Sequence, residues 1–300
     1  MKHKGDPVSG WVIVDKPAGI GSTAVVGIVR RLFNAAKAGH AGTLDPAASG
    51  VLPVALGEAT KTVPYVMDGE KTYAFTVKFG ESTTTDDADG TSLQTGGRVP
   101  SEDDIRAVLP SFVGEIEQVP PKYSAVHVNG QRAYDLARKE VEITLEPRRV
   151  RIDDLRLAGF DAPDSARFEV DCGKGTYVRS IARDMAEKMG TFGHVTALRR
   201  LKCGKFRAGQ AFLLEKLRET EHSLLLTDVL LPVETVLDDI PALALTEGQA
   251  RLLSNGGFLT APFPIENGTV MRADCNGRTA ALVCVSDGIV RPVRVLNQSE

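Results

Sequence analysis

A single aspartate, Asp45, stands in the stretch GHAGTLDPAASGVLPVALGEATK, residues 39–61, with no second acid until Glu58. Gly39, Gly42, Gly50 and Gly57 surround it, Pro46 follows it, and His40 precedes it by five positions. One carboxylate without a nearby acid is not the pair that a glycosidase uses. A lone carboxylate can serve as a nucleophile or base when a cation keeps it ionised. The glycines clear side chains from both flanks, which suits a large ligand lying against the loop. Pro46 fixes the backbone, and a rigid loop can hold a reacting group to the required tolerance. The same residues also make an ordinary turn, because Asp before Pro bonds nearby backbone amides. Within this stretch the two readings stay open.

Other chemistries find little support. His40 has no second His or Cys at ligand spacing, so neither a metal nor a metal ligand is expected. The four cysteines, Cys172, Cys203, Cys275 and Cys284, form no C-x-x-C pair, and a reduced, cytoplasmic setting fits them. No G-x-G-x-x-G follows a strand, and GEATK lacks the upstream spacing of a phosphate-binding loop. The start MKHK runs into Gly5, Asp6 and Pro7 rather than an apolar segment, unlike a signal peptide. No apolar run approaches the roughly 18 residues of a membrane helix.

The net charge of −3 says little, but its distribution says more. Residues 121–210 carry 18 Lys and Arg against 12 Asp and Glu, whereas both flanking segments are acidic. A basic middle third can steer a polyanion to one face; it is equally what a solvated surface looks like.

The elements that must position Asp45 are mixed. GWVIVDKPAGIG is a short apolar strand with a Pro/Gly turn, and Ser22 is placed to cap the helix that Val25, Val26, Ile28, Val29, Leu32 and Phe33 define. EKTYAFTVKFG alternates as a strand with one buried face. SEDDIRAVLPSFVG reads as a capped helix, and YSAVHVNGQRAYDLARKE as a short strand, an Asn-Gly turn and a polar helix on an exposed excursion. ARFEVDCGKGTYVRSIARDMAEKMG is strand, glycine turn and helix, followed by the basic strand VTALRRLKCGKF. Hairpin-like strands with helices between them predict an α+β fold. From about Pro241 the texture becomes that of a small β-rich module, joined through residues 232–239.

GHAGTLDPAASGVLPVALGEATK, with GWVIVDKPAGIGS, EKTYAFTVKFG, TDDADG, PPKYSAVHVNGQRAYDLAR, GKGTYVRSIARDMAEKMG and VTALRRLKCGKF in order, resembles the TruB family of pseudouridine synthases. These enzymes act on the uridine at position 55 of tRNA. The resemblance covers roughly residues 10–210 and implies a pseudouridine synthase fold with a mixed, largely antiparallel sheet. It implies a catalytic domain over 1–238, with an RNA-gripping insertion at about 122–150, and a PUA-like RNA-binding domain over 239–300. It places the catalytic role on Asp45, Tyr73 and Arg179, with Tyr73 stacking on the target base or transferring a proton through its hydroxyl and Arg179 pairing with the aspartate. It further implies substrate contacts from Lys16, His40, Tyr177, Asp87 and Leu198.

The implied reaction breaks C1′–N1 of uridine and remakes the bond to C5, without metal, nucleotide or redox cofactor. Whether Asp45 adds to C1′ or first removes a 2′ proton is left open by the residues. A uridine stacked in the T-loop must be flipped out to reach a carboxylate, at a cost of about a few kcal/mol. The T-arm of tRNA is the implied partner, with no membrane and a monomeric enzyme. Three other readings are a catalytically inert RNA chaperone, a synthase with a different RNA target, and an unrelated hydrolase. Asp45 and Arg179 are both present against the first. The length of the GHAGTLDP match favours tRNA over the second, and the missing second acid, triad and metal spacing oppose the third.

Overall fold

Trp11, Val12, Ile13 and Val14 are apolar at every position, and all four are buried. A strand covered on both faces needs no alternation. Trp11 and Ile13 enter one core cluster, Val12 and Val14 another. The computed structural model containing this strand describes residues 5–128, 130–139, 141–219 and 228–297.

The strand Gly10–Lys16 belongs to a ten-stranded sheet. Across its main path the order is Phe212–Leu213, Gly10–Lys16, Ser49–Leu56, Gly193–Cys203, Lys71–Phe79, Ser165–Cys172, Arg148–Ala162 and Gly114–Gln118. Ala38–His40 and Phe206–Arg207 attach to its middle. Phe212–Leu213 runs parallel to Gly10–Lys16, and Ser49–Leu56 parallel to Gly193–Cys203; the other pairings are antiparallel. The fold is α+β, as its sequence pattern predicts, with the mixed, largely antiparallel sheet that the resemblance implies.

Lys71–Phe79 carries the expected alternation. Phe75, Val77 and Phe79 point into one core with Phe168, Val170 and the helix Val178–Lys188, which contributes Ile181, Ala182 and Met185. The helix Ser22–Leu32 covers the other half of the sheet with Val25, Ile28 and Val29. One detail differs from expectation. Gly21, not Ser22, is the N-cap, and no side chain caps this helix. Ser22 is instead buried, and its hydroxyl donates to Leu44 O at 2.8 Å and accepts from Leu44 N at 2.8 Å. It fastens the Asp45 loop rather than the helix end.

The helix Glu102–Val108 has the predicted start, a capping box between Ser101 and Asp104. The excursion contains the paired strands His127–Val128 and Gln131–Arg132 and the helix Ala133–Ala137. Asn129 of its expected Asn-Gly turn lies outside the described residues. Val126, Ala133 and Leu145 give it a small core, against which Tyr177 packs.

Residues beyond 241 form a five-stranded sheet in the order Ala242–Ala244, Val270–Cys275, Arg278–Ser286, Ile289–Val295 and Leu259–Thr260. The helix Glu247–Ser254, capped by Thr246, lies against it. Leu282 and Leu296 leave this module to join Trp11, Phe206, Val236 and Leu237 in a shared core. No helix among the described residues is long and apolar enough to cross a membrane.

Candidate active site

The loop between Ala41 and Ser49 joins the paired strands Ala38–His40 and Ser49–Leu56 of the large sheet, and hydrogen bonds hold it from several sides. Ser22 holds Leu44. Gly19 N and Lys16 Nζ both donate to Pro46 O, at 2.8 and 3.1 Å. Ala48 N donates to Asp45 O at 3.1 Å, closing the turn. Leu44 and Ala48 are buried, so the loop turns its apolar side chains inward. The side chain of Asp45 faces a cavity of about 270 Å³.

Arg179, the second residue of the helix Val178–Lys188, reaches the same point. Its Nη2 lies 2.9 Å from Asp45 Oδ2, and its Nη1 lies 3.4 Å from Asp87 Oδ2. It also donates to Thr85 O at 2.9 Å and Tyr123 O at 2.8 Å. The guanidinium is thus shared between two carboxylates and two carbonyls, a use that suits its planar fork. Asp87 is fixed in turn by the Thr85 hydroxyl and by Asp89 N at 3.1 Å.

The recess withdraws the Asp45 carboxylate from bulk water, although 40% of the side chain stays accessible through the open mouth. Burial pushes its pKa up. Arg179 pulls it down, Asp87 pushes it up again, Lys16 pulls it down, and the net direction is upward. A carboxylate that is partly desolvated, paired and still reachable is a candidate reacting group.

Two family models account for this chain in succession. One, a TruB family pseudouridylate synthase N-terminal domain, matches residues 30–178. The other, a tRNA pseudouridylate synthase B C-terminal domain, matches residues 179–238. The chain belongs to the TruB family of pseudouridylate synthases.

The two TruB matches meet between Val178 and Arg179, so the Asp45–Arg179 pair joins them. Curated relatives agree over nearly the whole length. The tRNA pseudouridine synthase B of Caulobacter sp. strain K31 is 47% identical over 303 residues, covering 98% of each chain. That of Rhodospirillum rubrum is 48% identical over 304 residues, covering 99% of each. Among solved structures, an archaeal box H/ACA Nop10–Cbf5 complex contains a chain with TM-score 0.72 and 25% identity. The likeness covers 96% of this chain and 86% of that one. Pseudouridylate synthases are isomerases, and the TruB fold here supplies the mixed sheet two of whose strands the Asp45 loop joins.

The structure brings Tyr73, Tyr177 and Leu198 to the cavity beside Asp45 and Arg179. Tyr73 comes from the strand Lys71–Phe79, and burial raises its pKa, opposed by the neighbouring Arg200. Tyr177 is the N-cap of the Arg179 helix; its backbone exchanges hydrogen bonds with the Gln118 amide at 2.8 and 3.1 Å. Leu198 lies on the strand Gly193–Cys203 and also lines a smaller recess with Asp45, Asp87 and Arg179.

Lys16, His40 and Asp87 do not line the main cavity. Lys16 is wholly buried, and its ammonium donates to the carbonyls of Pro17, Ile20 and Pro46 at 2.9, 2.7 and 3.1 Å. Burial lowers its pKa to about 8, against the pull of Asp45. His40 sits on the short strand Ala38–His40; its Nδ1 is buried without a hydrogen-bond partner, and burial followed by Arg200 lowers its pKa. Asp87 reaches the site through Arg179.

Sequence reasoning missed Arg200 and Lys71, which both line the cavity. In the pattern LRRLKC, Arg200 looks like any exposed residue of a basic strand, and only a buried site on the alternation of Gly193–Cys203 would have marked it. Among the described residues, no group of three or more His, Cys, Asp or Glu side chains is placed to hold a metal ion.

Proposed function

We propose that this chain isomerises the uridine at position 55 in the T-loop of tRNA to pseudouridine, with Asp45 as the catalytic carboxylate. The observation that carries the proposal is the Asp45–Arg179 pair at 2.9 Å, set at an open cavity that Tyr73 and Leu198 also line. The names of the curated relatives support tRNA as the substrate.

The chemistry balances within the nucleoside. The C1′–N1 bond breaks with its electron pair on uracil, the detached base turns, and C5 bonds to C1′ as the C5 proton is lost and N1 gains one. Asp45 acts at the sugar side of this exchange. Arg179 keeps the carboxylate ionised against the desolvation that raises its pKa. Tyr73 offers a stacking face to the flipped base, and Tyr177 and Leu198 narrow the pocket around it. Lys16 and Asp87 serve by holding the loop and Arg179. His40 serves at the entry to the loop.

In this reading catalysis resides in residues 1–238, the segment of about 122–150 grips RNA, and the β-rich module of 239–300 is an RNA-binding domain of PUA type. The enzyme acts as a cytoplasmic monomer. The test is to incubate the purified protein with an unmodified tRNA transcript and map pseudouridine at nucleotide resolution. Modification at position 55, absent with Asp45→Asn, is the expected result. Modification elsewhere, or by the Asn variant, overturns the proposal.

A further inference from the structure

One side chain reaches both ends of the Asp45 loop. Arg200 Nη2 donates to Gly42 O at 3.0 Å, and its Nε donates to Val51 O at 2.8 Å. Arg200 is 1% exposed, among the largest fully buried side chains of the protein. Among the described residues it has no carboxylate partner. A guanidinium keeps its charge in a protein interior, and burying it without an ion pair is costly. Packing alone would be better served by a leucine or methionine of similar volume. The charge and the fork are therefore retained for what they hold.

What they hold is the reacting loop. On its own strand, Arg200 is registered against Gly50 on one side and Tyr73 on the other. Both glycines that bound the loop are fitted to this residue. Gly50, at φ +104°, lies so close that a Cβ would sit 2.2 Å from Arg200 O. Gly42, at φ +90°, would place a Cβ 3.3 Å from Arg200 Nη1. Both backbone conformations also disfavour any side chain. Asp45 thus lies on a span whose entry and exit are tied to one guanidinium, and that guanidinium neighbours the tyrosine on the cavity wall.

We propose that Arg200 is a positioning residue for the isomerisation: its fork joins the two ends of the loop and sets the Asp45 carboxylate in place relative to Tyr73. The proposal rests on Asp45 being the reacting group. Arg200 shows only 1% of its surface at the cavity it helps to line, so the role rests on its hydrogen bonds to the loop and not on contact with the substrate.

The test is a double-mutant cycle read by single-turnover rates at saturating tRNA transcript, with each variant held well below its own melting midpoint. Arg200→Gln is expected to slow the chemical step by about 100-fold, as a misplacement of about 1 Å does, while transcript affinity stays close to wild type. Gly42→Ala, which pushes on the same guanidinium, is expected to slow it by about tenfold. The double variant should be slower than Arg200→Gln by clearly less than the roughly tenfold effect of Gly42→Ala alone, because part of each change acts on the same interaction, the remainder of the Gly42→Ala effect being backbone strain. A packing role would lower the melting temperature and the active fraction, yet leave the rate constant of the folded enzyme near wild type. That result, or single effects that multiply in the double variant, overturns the proposal. If Arg200→Gln yields no folded protein, Arg200→Lys, which keeps the charge but not the fork, takes its place in the same cycle with the same expectations. Asp45→Asn measured alongside separates the two layers. Turnover by that variant overturns the Asp45 assignment, whereas an Asp45-dependent reaction with an unslowed Arg200 variant overturns only the positioning role.

Discussion

Arg179 Nη2 lies 2.9 Å from Asp45 Oδ2, with 5% of the arginine side chain accessible and 40% of the aspartate. The cation is sunk and the anion is presented. An ion pair made for stability alone would have no reason to leave one member open to a cavity. The asymmetry leads to the first two predictions.

Asp45→Asn abolishes isomerisation and leaves tRNA binding largely intact, because the side chain keeps its shape and loses only its charge. The check pairs nucleotide-resolution pseudouridine mapping with filter binding of the same transcript. The same variant is at least as stable as wild type at pH 7. Burial raises the folded pKa of Asp45 above its ordinary 3.8, so the native state binds the proton more tightly than the unfolded state. Stability from this group is then greatest below pH 3.8 and declines as pH rises through the raised value. Melting curves should show the advantage of the Asn variant shrinking as the pH is lowered through that window.

Arg179→Ala leaves the carboxylates of Asp45 and Asp87 and the carbonyls of Thr85 and Tyr123 without their shared donor. The expected result is a large loss in the chemical step, a modest loss of tRNA affinity, and about 3 kcal/mol of lost stability, the lower end for a broken interior pair because Asp45 is partly solvated. The acid limb of the rate profile should move to higher pH, since Arg179 is the main influence drawing the Asp45 pKa down. Single-turnover kinetics across pH, with denaturant titrations, measure all three.

Lys16 supplies an alkaline limb. Its pKa is lowered to about 8, so the buried ammonium loses its proton as pH rises through that value, and with it the positive charge near Asp45 and one donor to the loop. The fold itself does not suffer: a lysine with a depressed native pKa gains stability between about 8 and 10.5, where the unfolded state still binds the proton. Activity should therefore fall above about pH 8 while the melting temperature holds. Lys16→Met should be slower throughout and lose the limb, which a rate profile from about pH 6 to 10 would reveal.

Neutralising Arg132, Arg138 and Lys139 together should weaken tRNA binding and flatten its salt dependence by about 0.7–0.9 in log–log slope for each phosphate no longer neutralised. These residues belong to the excursion, where Arg138 and Lys139 do not line the cavity beside Asp45 and Arg138 lies 5.4 Å over the Tyr134 ring. The chemical step at saturating RNA should be nearly unchanged. Normal binding with an unchanged salt slope would show that the basic segment is only a solvated face.

Much of this molecule is legible in one dimension because its signals are local. The alternation of Lys71–Phe79 declares its buried face, the Ser101 box declares a helix start, and GTLDP in its glycine frame declares where a carboxylate is displayed. The α+β class follows from such local periods, and the family from their order. What the sequence left undecided concerns buried polar groups. Ser22 has the chemistry of a helix cap, and only the arrival of Leu44 beside it makes it a loop fastener. Lys16 reads as a turn lysine until the folded chain surrounds it with three carbonyls. Arg199 and Arg200 are adjacent and identical on paper. The strand sends Arg199 outward to pair with Asp15 at 2.7 Å and Arg200 inward to clamp the loop. A residue's type fixes which bonds it can make. Only the tertiary structure decides which partners come within about 3 Å and whether water is there to compete, and those two conditions separate a solvated arginine from one that ties both ends of a cavity loop.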